Sequence, residues 1–289
     1  MIGVDWGTSS LRAYRLGAGG AVLERREAAR GIMQIEAGSF ADVLRDAVGD
    51  WVAAGERRVL LSGMVGSRQG WVEALYVPCP AGLAELAAGL ATVPFGGAEV
   101  RLVPGLSGED PHGVPEVMRG EETQVMGASR AAGLVCLPGS HSKWARVSGG
   151  RIEGFATHLT GEAFAALRGH TILGRTMRDG GGSPAAFDRG VDRAGEVDGL
   201  LHHLFGVRTL GLFDQLADTD AADYLSGLLI GHEVRSAMPA GAAVHLIGAP
   251  ALCARYARAI ELRGGRASID EGEAAARGLA AIGERAAWN

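Results

Sequence analysis

Two short stretches of the chain carry the same arrangement of glycine and hydroxyl residues. Residues 2–10 are Ile-Gly-Val-Asp-Trp-Gly-Thr-Ser-Ser, and residues 137–142 are Leu-Pro-Gly-Ser-His-Ser. In each, a short apolar run leads to a glycine in a predicted turn, which is followed by side chains that carry hydroxyl groups. Glycine lets the backbone approach an anion closely, while N–H groups and hydroxyls donate hydrogen bonds to its oxygens. The two stretches therefore predict a pair of phosphate-binding turns.

Both turns are followed by a second strand-like run, a glycine-rich turn and a third strand-like run. The predicted phosphate ligands are Gly7, Thr8, Ser9 and Ser10 in the first turn, and Gly139, Ser140, His141, Ser142 and Lys143 in the second. Either turn alone is equally compatible with an ordinary β-hairpin, because a single motif is weak evidence for a site. Their duplication favours two hairpins that face each other as a phosphate clamp.

Paired hairpins of this kind resemble those of the actin-like ATPase and sugar-kinase superfamily. The resemblance implies an α/β fold of two actin-like (ribonuclease H-like) domains, with the duplicated β-hairpin clamp at an interdomain cleft. We expect an N-terminal domain over residues 1–125 and a C-terminal domain over residues 126–289. A helix predicted over residues 271–289 is expected to pack back on the first domain.

Composition excludes several classes of protein. A chain of 289 residues, 47% hydrophobic and 21% charged, suits two globular domains of ordinary size. The net charge of −5 and the lack of a basic block argue against nucleic-acid binding. Cys79, Cys136 and Cys253 are too widely spaced for a metal motif and are expected to be free thiols. No apolar stretch reaches the about 18 residues of a membrane span, and no signal peptide is evident, so we expect a cytoplasmic protein.

A polar loop follows a predicted buried strand over residues 58–61. In open α/β folds, ligands bind beyond the carboxyl ends of strands, so this loop is a candidate substrate site. A solvated surface loop is the alternative, since loops often but not always carry function. The predicted substrate-binding residues in it are Ser62, Gly63, Met64, Ser67, Arg68, Gln69 and Trp71.

Two adjacent glutamates begin a predicted helix. The composition of residues 104–115 predicts a long irregular connection that leads toward Gly120. A helix is expected to begin after Gly120 and to run to about Ala132. Glu121 shares one helical face with Val125, which places its carboxylate toward packed structure or a cleft. Alternatively, Glu121 and Glu122 are first-turn acids favoured by the helix dipole.

The second half of the chain is read as mainly helical from residue 184, with a buried strand over residues 244–247. Gly248 and Ala249 close this strand before another predicted helix. In an actin-like chain this position usually holds the adenosine of ATP, although an ordinary βα unit has the same pattern. A helix is expected to begin near Thr160 and Glu162.

The motifs together resemble the 2-dehydro-3-deoxygalactonokinase family over nearly the whole chain. The motifs are Asp-Trp-Gly-Thr-Ser-Ser (5–10), Gly-Met-Val-Gly-Ser (63–67), Met-Arg-Gly-Glu-Glu-Thr-Gln (118–124), Pro-Gly-Ser-His-Ser-Lys-Trp (138–144), Thr-Gly-Glu (160–162) and Ser-Gly-Leu-Leu-Ile-Gly (226–231). Ser140 stands where most members are expected to have Thr. The resemblance implies phosphorylation of the 6-hydroxyl of 2-dehydro-3-deoxy-D-galactonate by ATP, with Mg²⁺, in galactonate or galactose breakdown.

Phosphoryl transfer needs charge neutralisation, positioning and a proton acceptor. On this hypothesis Asp5 holds Mg²⁺ through water, and Glu121 is the general base with Glu122 as the alternative. Arg68 and Arg119 are candidates for the substrate carboxylate, which arginine binds bidentately. The remaining predicted contacts are Trp71, Thr160 and Glu162 in the sugar pocket, Lys143 or Arg12 as an added charge, and His141 in an open role.

Two other functions stay open at this point. One is a kinase for another 2-keto-3-deoxy sugar acid, such as the gluconate-derived epimer. The two acids differ in the configuration of a single hydroxyl group, and no motif in the sequence indicates which of them is bound. The other is an actin-like ATPase without kinase activity, which would lack a substrate loop. The expected partners are ATP and a small sugar acid, without nucleic acid or membrane. The sequence does not set the oligomeric state and leaves a homodimer open.

Overall fold

The structure is a computed structural model that describes residues 1–128, 132–180 and 182–289. Its strands are β1 (Ile2–Trp6), β2 (Leu11–Leu16), β3 (Val22–Ala28), β4 (Arg58–Ser62), β5 (Val77–Pro78), β6 (Ala81–Gly82), β7 (Ala91–Val93), β8 (Glu99–Leu102), β9 (Leu106–Glu109), β10 (Pro115–Met118), β11 (Gly133–Leu137), β12 (Ser142–Ser148), β13 (Arg151–His158), β14 (Ala243–Leu246) and β15 (Arg266–Ile269). Its helices are α1 (Phe40–Ala53), α2 (Leu83–Ala88), α3 (Glu121–Gly127), α4 (Thr160–His170), α5 (Pro184–Arg193), α6 (Leu200–Leu212), α7 (Ala221–Ala237), α8 (Pro250–Leu262) and α9 (Ala274–Gly283).

The first sheet has the order β3–β2–β1–β4–β8–β7. Strands β1 to β3 form an antiparallel meander, and β4 and β8 then add in parallel to β1. Four of the five residues in each of β1 and β4 are buried, as expected for strands that are covered on both faces of a sheet. The apolar run predicted before the first turn and the two strand-like runs predicted after it are therefore confirmed as three strands.

The order of the first five strands recurs later in the chain. Strands β13–β12–β11–β14–β15 lie in the same order as β3–β2–β1–β4–β8. Strand β14 pairs in parallel with β11 and with β15, as β4 does with β1 and β8. The glycine-rich turn before β13 has two residues at positive φ, Gly149 and Gly150, as Gly19 and Gly20 have before β3. The duplication read from the two turns thus extends to the topology of both sheets.

One sequence-based prediction of an irregular segment was wrong. The stretch over residues 104–115 contains β9 and leads straight into β10, and these two strands pair antiparallel. With β5 they form a small three-stranded sheet. Three of the Pro, Gly and Asp residues that suggested a loop, Asp110, Pro111 and Gly113, lie in the tight turn between the strands. There Asp110 accepts hydrogen bonds from the N–H groups of His112 and Val114.

The chain forms two compact units. The first comprises Met1–Ala132, Ala145–Phe155 and Glu271–Asn289, and the second comprises Gly133–Trp144 and Ala156–Asp270. The predicted boundary after residue 125 lies within α3. In the first unit α9 packs on α3 so closely that a Cβ added to Gly278 would lie 1.8 Å from the Thr123 carbonyl oxygen. Glycine is required at this helix crossing.

Most predicted helices are present with shifted ends. Ser39 precedes α1, and its side chain makes no capping hydrogen bond. Helix α3 ends at Gly127, before the predicted end near Ala132, and residues 129–131 lie outside the described residues. The last helix ends at Gly283, and residues 284–289 lie outside it.

All three cysteines are free thiols, as predicted, and Cys136 and Cys253 are buried. Among the described residues, no helix is both long enough and apolar enough to cross a membrane.

Candidate active site

The first glycine–hydroxyl turn joins β1 to β2. The Gly7 N–H donates to the Ser10 carbonyl oxygen at 2.9 Å, and Thr8 and Ser9 are exposed at the tip. A Cβ added to Gly31 would lie only 2.2 Å from the Thr8 carbonyl oxygen, so the segment after β3 supports the turn from behind. Gly31 was not predicted to support the turn, because a single glycine after a predicted strand is all that the sequence shows there.

Asp5 lies on β1 beside Arg12 of β2 and Ser62 of β4. Arg12 Nη1 is 3.7 Å from Asp5 Oδ2. Burial raises the pKa of Asp5 to about 6, since the attraction of Arg12 offsets burial only in part and the charges of Glu121 and Glu273 raise the pKa further. The first unit therefore gathers acidic charge around the end of β1. Glu273, at the start of α9, was not predicted to belong to this group.

Two glycines let three segments meet beside Asp5. Gly63 and Gly120 have φ values of 98° and 108°, a region that side chains rarely adopt. A Cβ on Gly63 would lie 2.7 Å from the Trp6 carbonyl oxygen and 3.4 Å from Asp5 Oδ1, and one on Gly120 would lie 3.1 Å from Gly63 Cα. The end of β1, the loop after β4 and the start of α3 are consequently in close contact.

The two glutamates of α3 occupy different environments. Glu122 is fully buried, and its carboxyl group accepts hydrogen bonds from the Gly120 N–H at 2.7 Å and from Thr123 Oγ1 at 2.9 Å. Burial, and then the charge of Glu121, raise the pKa of Glu122 to about 8. Glu121 is half-buried, and its Oε2 accepts from the Arg119 N–H at 3.0 Å. Of the two side chains, Glu121 is the one that solvent reaches.

The substrate loop predicted after β4 is divided between buried and exposed residues. Ser62 Oγ lies 2.8 Å from Thr123 Oγ1 in the interior, and Ser67 is also buried. Arg68 is exposed and pairs with Glu73 at 2.9 Å. Gln69 is exposed as well, whereas Met64 packs against the core of the first unit.

The ring of Trp71 belongs to an apolar cluster. It stacks on Phe40 with the ring planes 11° apart and meets Phe95 edge-on. Trp71 is half-buried in this packing. Its predicted role as a stacking face for the sugar stays a prediction.

Arg119 is buried at the start of the motif that leads into α3. Its Nη2 donates to the Ala74 carbonyl oxygen at 2.8 Å, and its guanidinium lies 4.4 Å above the ring of Tyr76. The Nε and Nη1 groups are buried and have no hydrogen-bond partner among the described residues. Arg119 thus ties the end of the substrate loop to α3.

In the second unit, the second glycine–hydroxyl turn packs on the start of α4. The Glu162 N–H donates to the Ser140 carbonyl oxygen at 3.1 Å, and the side chains of His141 and Glu162 are hydrogen-bonded. A Cβ on Gly161 would lie 2.5 Å from the Gly139 carbonyl oxygen. Ser140 and His141 are exposed at the tip, in the same way as the tip of the first turn.

The next two predicted phosphate ligands are buried. Ser142 Oγ lies 2.8 Å from the Tyr256 hydroxyl, which donates to Glu233 Oε2 at 2.7 Å, and Trp144 Nε1 donates to Glu233 Oε1 at 2.7 Å. Lys143 Nζ donates to Thr157 Oγ1 at 2.9 Å. This buried network, which we call the Tyr256 network, fixes the base of the turn to α7 and α8.

A cavity of about 670 Å³ opens beside the second turn, entirely within the second unit. Its volume lies in the range of small-molecule sites, about 300–1,000 Å³. Of the predicted residues, Gly139, Ser140 and Thr160 line it. Ser226, from the motif over residues 226–231, also lines it. The rest of its polar wall was not predicted and comprises Arg168, Arg178, Asp179, Thr219, Asp223, Arg255 and Tyr256.

Gly248 and Ala249 lie between β14 and α8, as expected. Gly248 has a φ of 155°, and Ala249 is the residue before the first turn of α8. They do not form the cavity wall, to which α8 contributes Leu252, Arg255 and Tyr256 instead.

Among the described residues, no three His, Cys, Asp or Glu side chains are grouped to hold a metal ion. The acidic group around Asp5 is therefore not a closed protein cage for a metal.

Comparison with known proteins gives consistent results. A family model described as 2-keto-3-deoxy-galactonokinase matches residues 5–282. A probable 2-dehydro-3-deoxygalactonokinase of Rhizobium meliloti (strain 1021) is 39% identical over 297 residues, covering 99% of this chain and 96% of that protein. The 2-dehydro-3-deoxygalactonokinase of Escherichia coli (strain K12) is 36% identical over 270 residues, covering 91% of this chain and 90% of that protein.

Solved structures agree on the fold. A crystal structure of a Sinorhizobium meliloti protein, described with the same activity, matches with a TM-score of 0.88 and 38% identity over 97% of both chains. The activator of 2-hydroxyisocaproyl-CoA dehydratase from Clostridium difficile has a TM-score of 0.52 at 10% identity, covering 99% of this chain and 95% of that one, so that likeness concerns the fold alone. The predicted actin-like α/β fold class is confirmed.

Proposed function

This chain belongs to the 2-keto-3-deoxy-galactonokinase family, and from that membership we propose that it transfers the γ-phosphoryl group of ATP to the 6-hydroxyl of 2-dehydro-3-deoxy-D-galactonate. The product would enter the breakdown of galactonate or galactose. The observation that carries this proposal is the family match over residues 5–282, which spans every segment of both candidate sites.

The exposed tips of both turns support phosphate binding. Thr8 and Ser9 in the first unit, and Ser140 and His141 in the second, present hydroxyl, N–H or imidazole groups to solvent. Ser142 and Lys143 would act from below, by holding the second turn in shape. The cavity beside Ser140 is large enough for the nucleoside of ATP, and its wall from α8 is consistent with adenosine bound near that helix.

Asp5 and its acidic neighbours fit a magnesium ion. Mg²⁺ prefers carboxylate oxygens, keeps several waters and is usually held by one or two carboxylates together with substrate phosphates. Burial is the main cause of the raised pKa of Asp5, and the charges of Glu121 and Glu273 raise it further. A divalent cation would neutralise the negative charge that these carboxylates share. Asp5 would hold the ion, and the bound ion would supply charge for the phosphates.

Glu121 is the better candidate for the general base. A base must lie within hydrogen-bond reach of the hydroxyl whose proton it accepts, and Glu121 is the more accessible glutamate. Glu122 is buried, uses both carboxyl oxygens within the protein, and is mostly protonated at neutral pH. It would position the start of α3 by its bond to the Gly120 N–H.

Arg68 would bind the substrate carboxylate. Its ion pair with Glu73 is exposed, and such pairs contribute little to stability, so exchanging Glu73 for a substrate carboxylate costs little. The guanidinium of Arg119 is enclosed by Ala74, Tyr76 and Gly66. Arg119 would instead position the loop that carries Arg68.

The test is a panel of sugar acids assayed with ATP and Mg²⁺. The panel holds 2-dehydro-3-deoxy-D-galactonate, its gluconate-derived epimer and the methyl ester of each acid. We expect the highest kcat/KM for the galactonate-derived acid and a raised KM for its ester, because the ester lacks the carboxylate charge. ATP hydrolysis that does not depend on any sugar acid would contradict kinase activity.

A further inference from the structure

Helix α6 of the second unit carries apolar side chains on an inner side and also on an outer side. One face packs inward through Leu204 and Val207, which belong to a buried cluster with residues of α5 and α7. The other face exposes Leu201, Phe205 and Leu212, with 85%, 58% and 60% of their surfaces accessible. A surface helix normally exposes polar residues on its outer face, and a helix that is apolar all round is normally buried.

The exposed residues form one stripe. At 100° per residue, Leu201, Phe205, Arg208 and Leu212 fall within about 60° of one another around the helix. Phe213 adds a further exposed ring just beyond the last turn. Arg208 lies between Phe205 and Leu212, and no carboxylate of the described residues is within ion-pair distance of it. The outer face of α6 therefore consists of apolar side chains around one unpaired cation.

The apolar area of this stripe is close to the apolar area that one partner contributes to a homodimer interface. Four side chains of this size, exposed to this extent, present on the order of 450 Å² of apolar surface, since an aromatic side chain buries about 150–250 Å². A standard interface buries about 800 Å² per partner. About 65% of a homodimer interface is apolar, or on the order of 500 Å² per partner. The largest apolar patch on a typical monomer covers about 300–600 Å² and is often functional, so this stripe is as large as the patches that commonly serve as contact surfaces.

The stripe is also complementary to itself. In a twofold arrangement, residue i of one copy meets residue j of the second, and j meets i. An antiparallel pair of helices centred between Gly206 and Val207 places Leu201 opposite Leu212 and Phe205 opposite Arg208. The second pairing gives the unpaired guanidinium an aromatic face, which is a favourable cation–π contact.

We propose that the outer face of α6 is a homodimer interface in which two copies of this helix pack antiparallel, with Leu201 against Leu212 and Phe205 against Arg208. This surface is separate from the residues proposed for catalysis, so the proposal does not depend on the identity of the substrate.

Sedimentation velocity of the full chain tests the proposal. The wild-type protein should sediment as a species of twice 29.8 kDa at micromolar concentration. The single variants Leu201→Glu and Leu212→Lys should each raise the dimer dissociation constant at least 100-fold. Leu23→Glu is the matched control, because Leu23 is an exposed leucine on β3 of the other unit. Circular dichroism and melting curves confirm that each variant is folded.

The double variant Leu201→Glu with Leu212→Lys identifies the register. Within one helix these positions are eleven residues, or about 16 Å, apart, so the new charges can pair only between two copies. The double variant should recover most of the dimer affinity. A monomeric wild-type protein, a dimer insensitive to Leu201→Glu or equally sensitive to Leu23→Glu, or a double variant without recovery would each overturn the proposal.

Discussion

At the scale of single residues, the two glutamates of α3 differ in accessibility, and this difference predicts opposite outcomes. Glu121→Gln should lower kcat by about 10²–10⁴-fold, the usual contribution of a general base, with little change in the KM of either substrate. The amide keeps the size of the side chain but cannot accept the hydroxyl proton. Steady-state kinetics at saturating ATP and sugar acid measures this effect.

Glu122→Gln is the matched variant one position away. Its amide resembles the protonated carboxyl group that burial favours, so kcat at neutral pH should change by no more than a few-fold. A severe loss in Glu122→Gln together with an active Glu121→Gln would reverse the assignment. Retention of activity in both variants would place the base elsewhere.

Asp5→Asn separates the role of the charge from the role of packing. Asparagine keeps the volume and removes a crowded negative charge, so the melting temperature at pH 7 should stay equal or rise. Turnover should fall by roughly 10² or more, since fixed charges at phosphates are worth that much. Melting curves and Mg²⁺ titrations of activity check both parts. Near-normal turnover at every Mg²⁺ concentration would make Asp5 a structural residue.

At the scale of elements, the first glycine–hydroxyl turn packs closely against a glycine from outside it. Gly31→Ala places a Cβ 2.2 Å from the Thr8 carbonyl oxygen, so the turn has to move. We expect a raised KM for ATP and a loss of about 1–3 kcal/mol in the free energy of unfolding, which is typical of overpacking. Gly96→Ala is the control, because a Cβ at Gly96 meets nothing within 4 Å. Equal behaviour of both variants would mean that the turn does not rely on Gly31.

The second turn depends on the Tyr256 network. Tyr256→Phe removes the hydroxyl between Ser142 and Glu233 and leaves a buried carboxylate oxygen without its donor. Such a loss costs roughly 1–3 kcal/mol, and the loosened turn should weaken ADP binding several-fold. Calorimetric titration with ADP measures the affinity without catalysis. Tyr224→Phe, at another buried tyrosine of the same unit, should leave ADP affinity unchanged. Unchanged affinity in Tyr256→Phe would limit the network to folding.

The elements themselves were largely predictable from the sequence. Alternating or continuous apolar runs bounded by glycine marked β1 to β4 and β14, because local pattern determines such strands. Strands β9 and β10 were missed because Pro, Gly and Asp, residue types that are typical of loops, dominate the composition of residues 104–115. Helix α9 was predicted too long because alanine-rich sequence continues beyond the point where packing on the first unit ends.

Site residues that depend on distant partners were less predictable. The burial of Ser142 is determined by Tyr256, which is 114 residues away in the sequence. The polar wall of the cavity comes from α4, α7 and α8 and the segment before α5, and no single stretch shows a motif for it. Helical periodicity places Glu121 on one face with the buried Val125, but Glu122 is the fully buried glutamate, because the packing around the start of α3 comes from segments distant in the sequence.

At the scale of the whole molecule, the two units should respond oppositely to pH. In the first unit, the pKa of Glu122 rises from 4.5 in the unfolded chain to about 8. Between these values the folded state holds a proton that the unfolded state has released, so stability falls as pH rises, by at most about 1.4 kcal/mol per pH unit. In the second unit, burial beside Arg235 and His203 lowers the pKa of His232 from 6.5 to about 4. The unfolded state is the one that gains a proton there as pH falls below 6.5, so acid destabilises this unit.

Hydrogen exchange between pH 5 and pH 8.5, corrected for the intrinsic exchange rates, measures each unit separately. Protection of α3 should decline toward high pH, and protection of α7, which carries His232, should decline toward low pH. Glu122→Gln should remove the first trend and leave the second intact. A pH profile of α3 that is the same in the wild-type protein and in Glu122→Gln would contradict this account.

The position of α9 has a consequence for biosynthesis. This helix completes the first unit by packing on β1 and α3, with Leu279 against Gly3 and Gly278 against the Thr123 backbone. The ribosome delivers it only after the 141 residues (273 − 132) that separate it from Ala132 have been added. At about 5–20 residues per second this takes roughly 7–28 s, during which the surface that α9 covers stays open to chaperones and proteases. A nascent chain stopped at Asp270 should therefore be cleaved first near its own amino terminus, far in sequence from the missing residues.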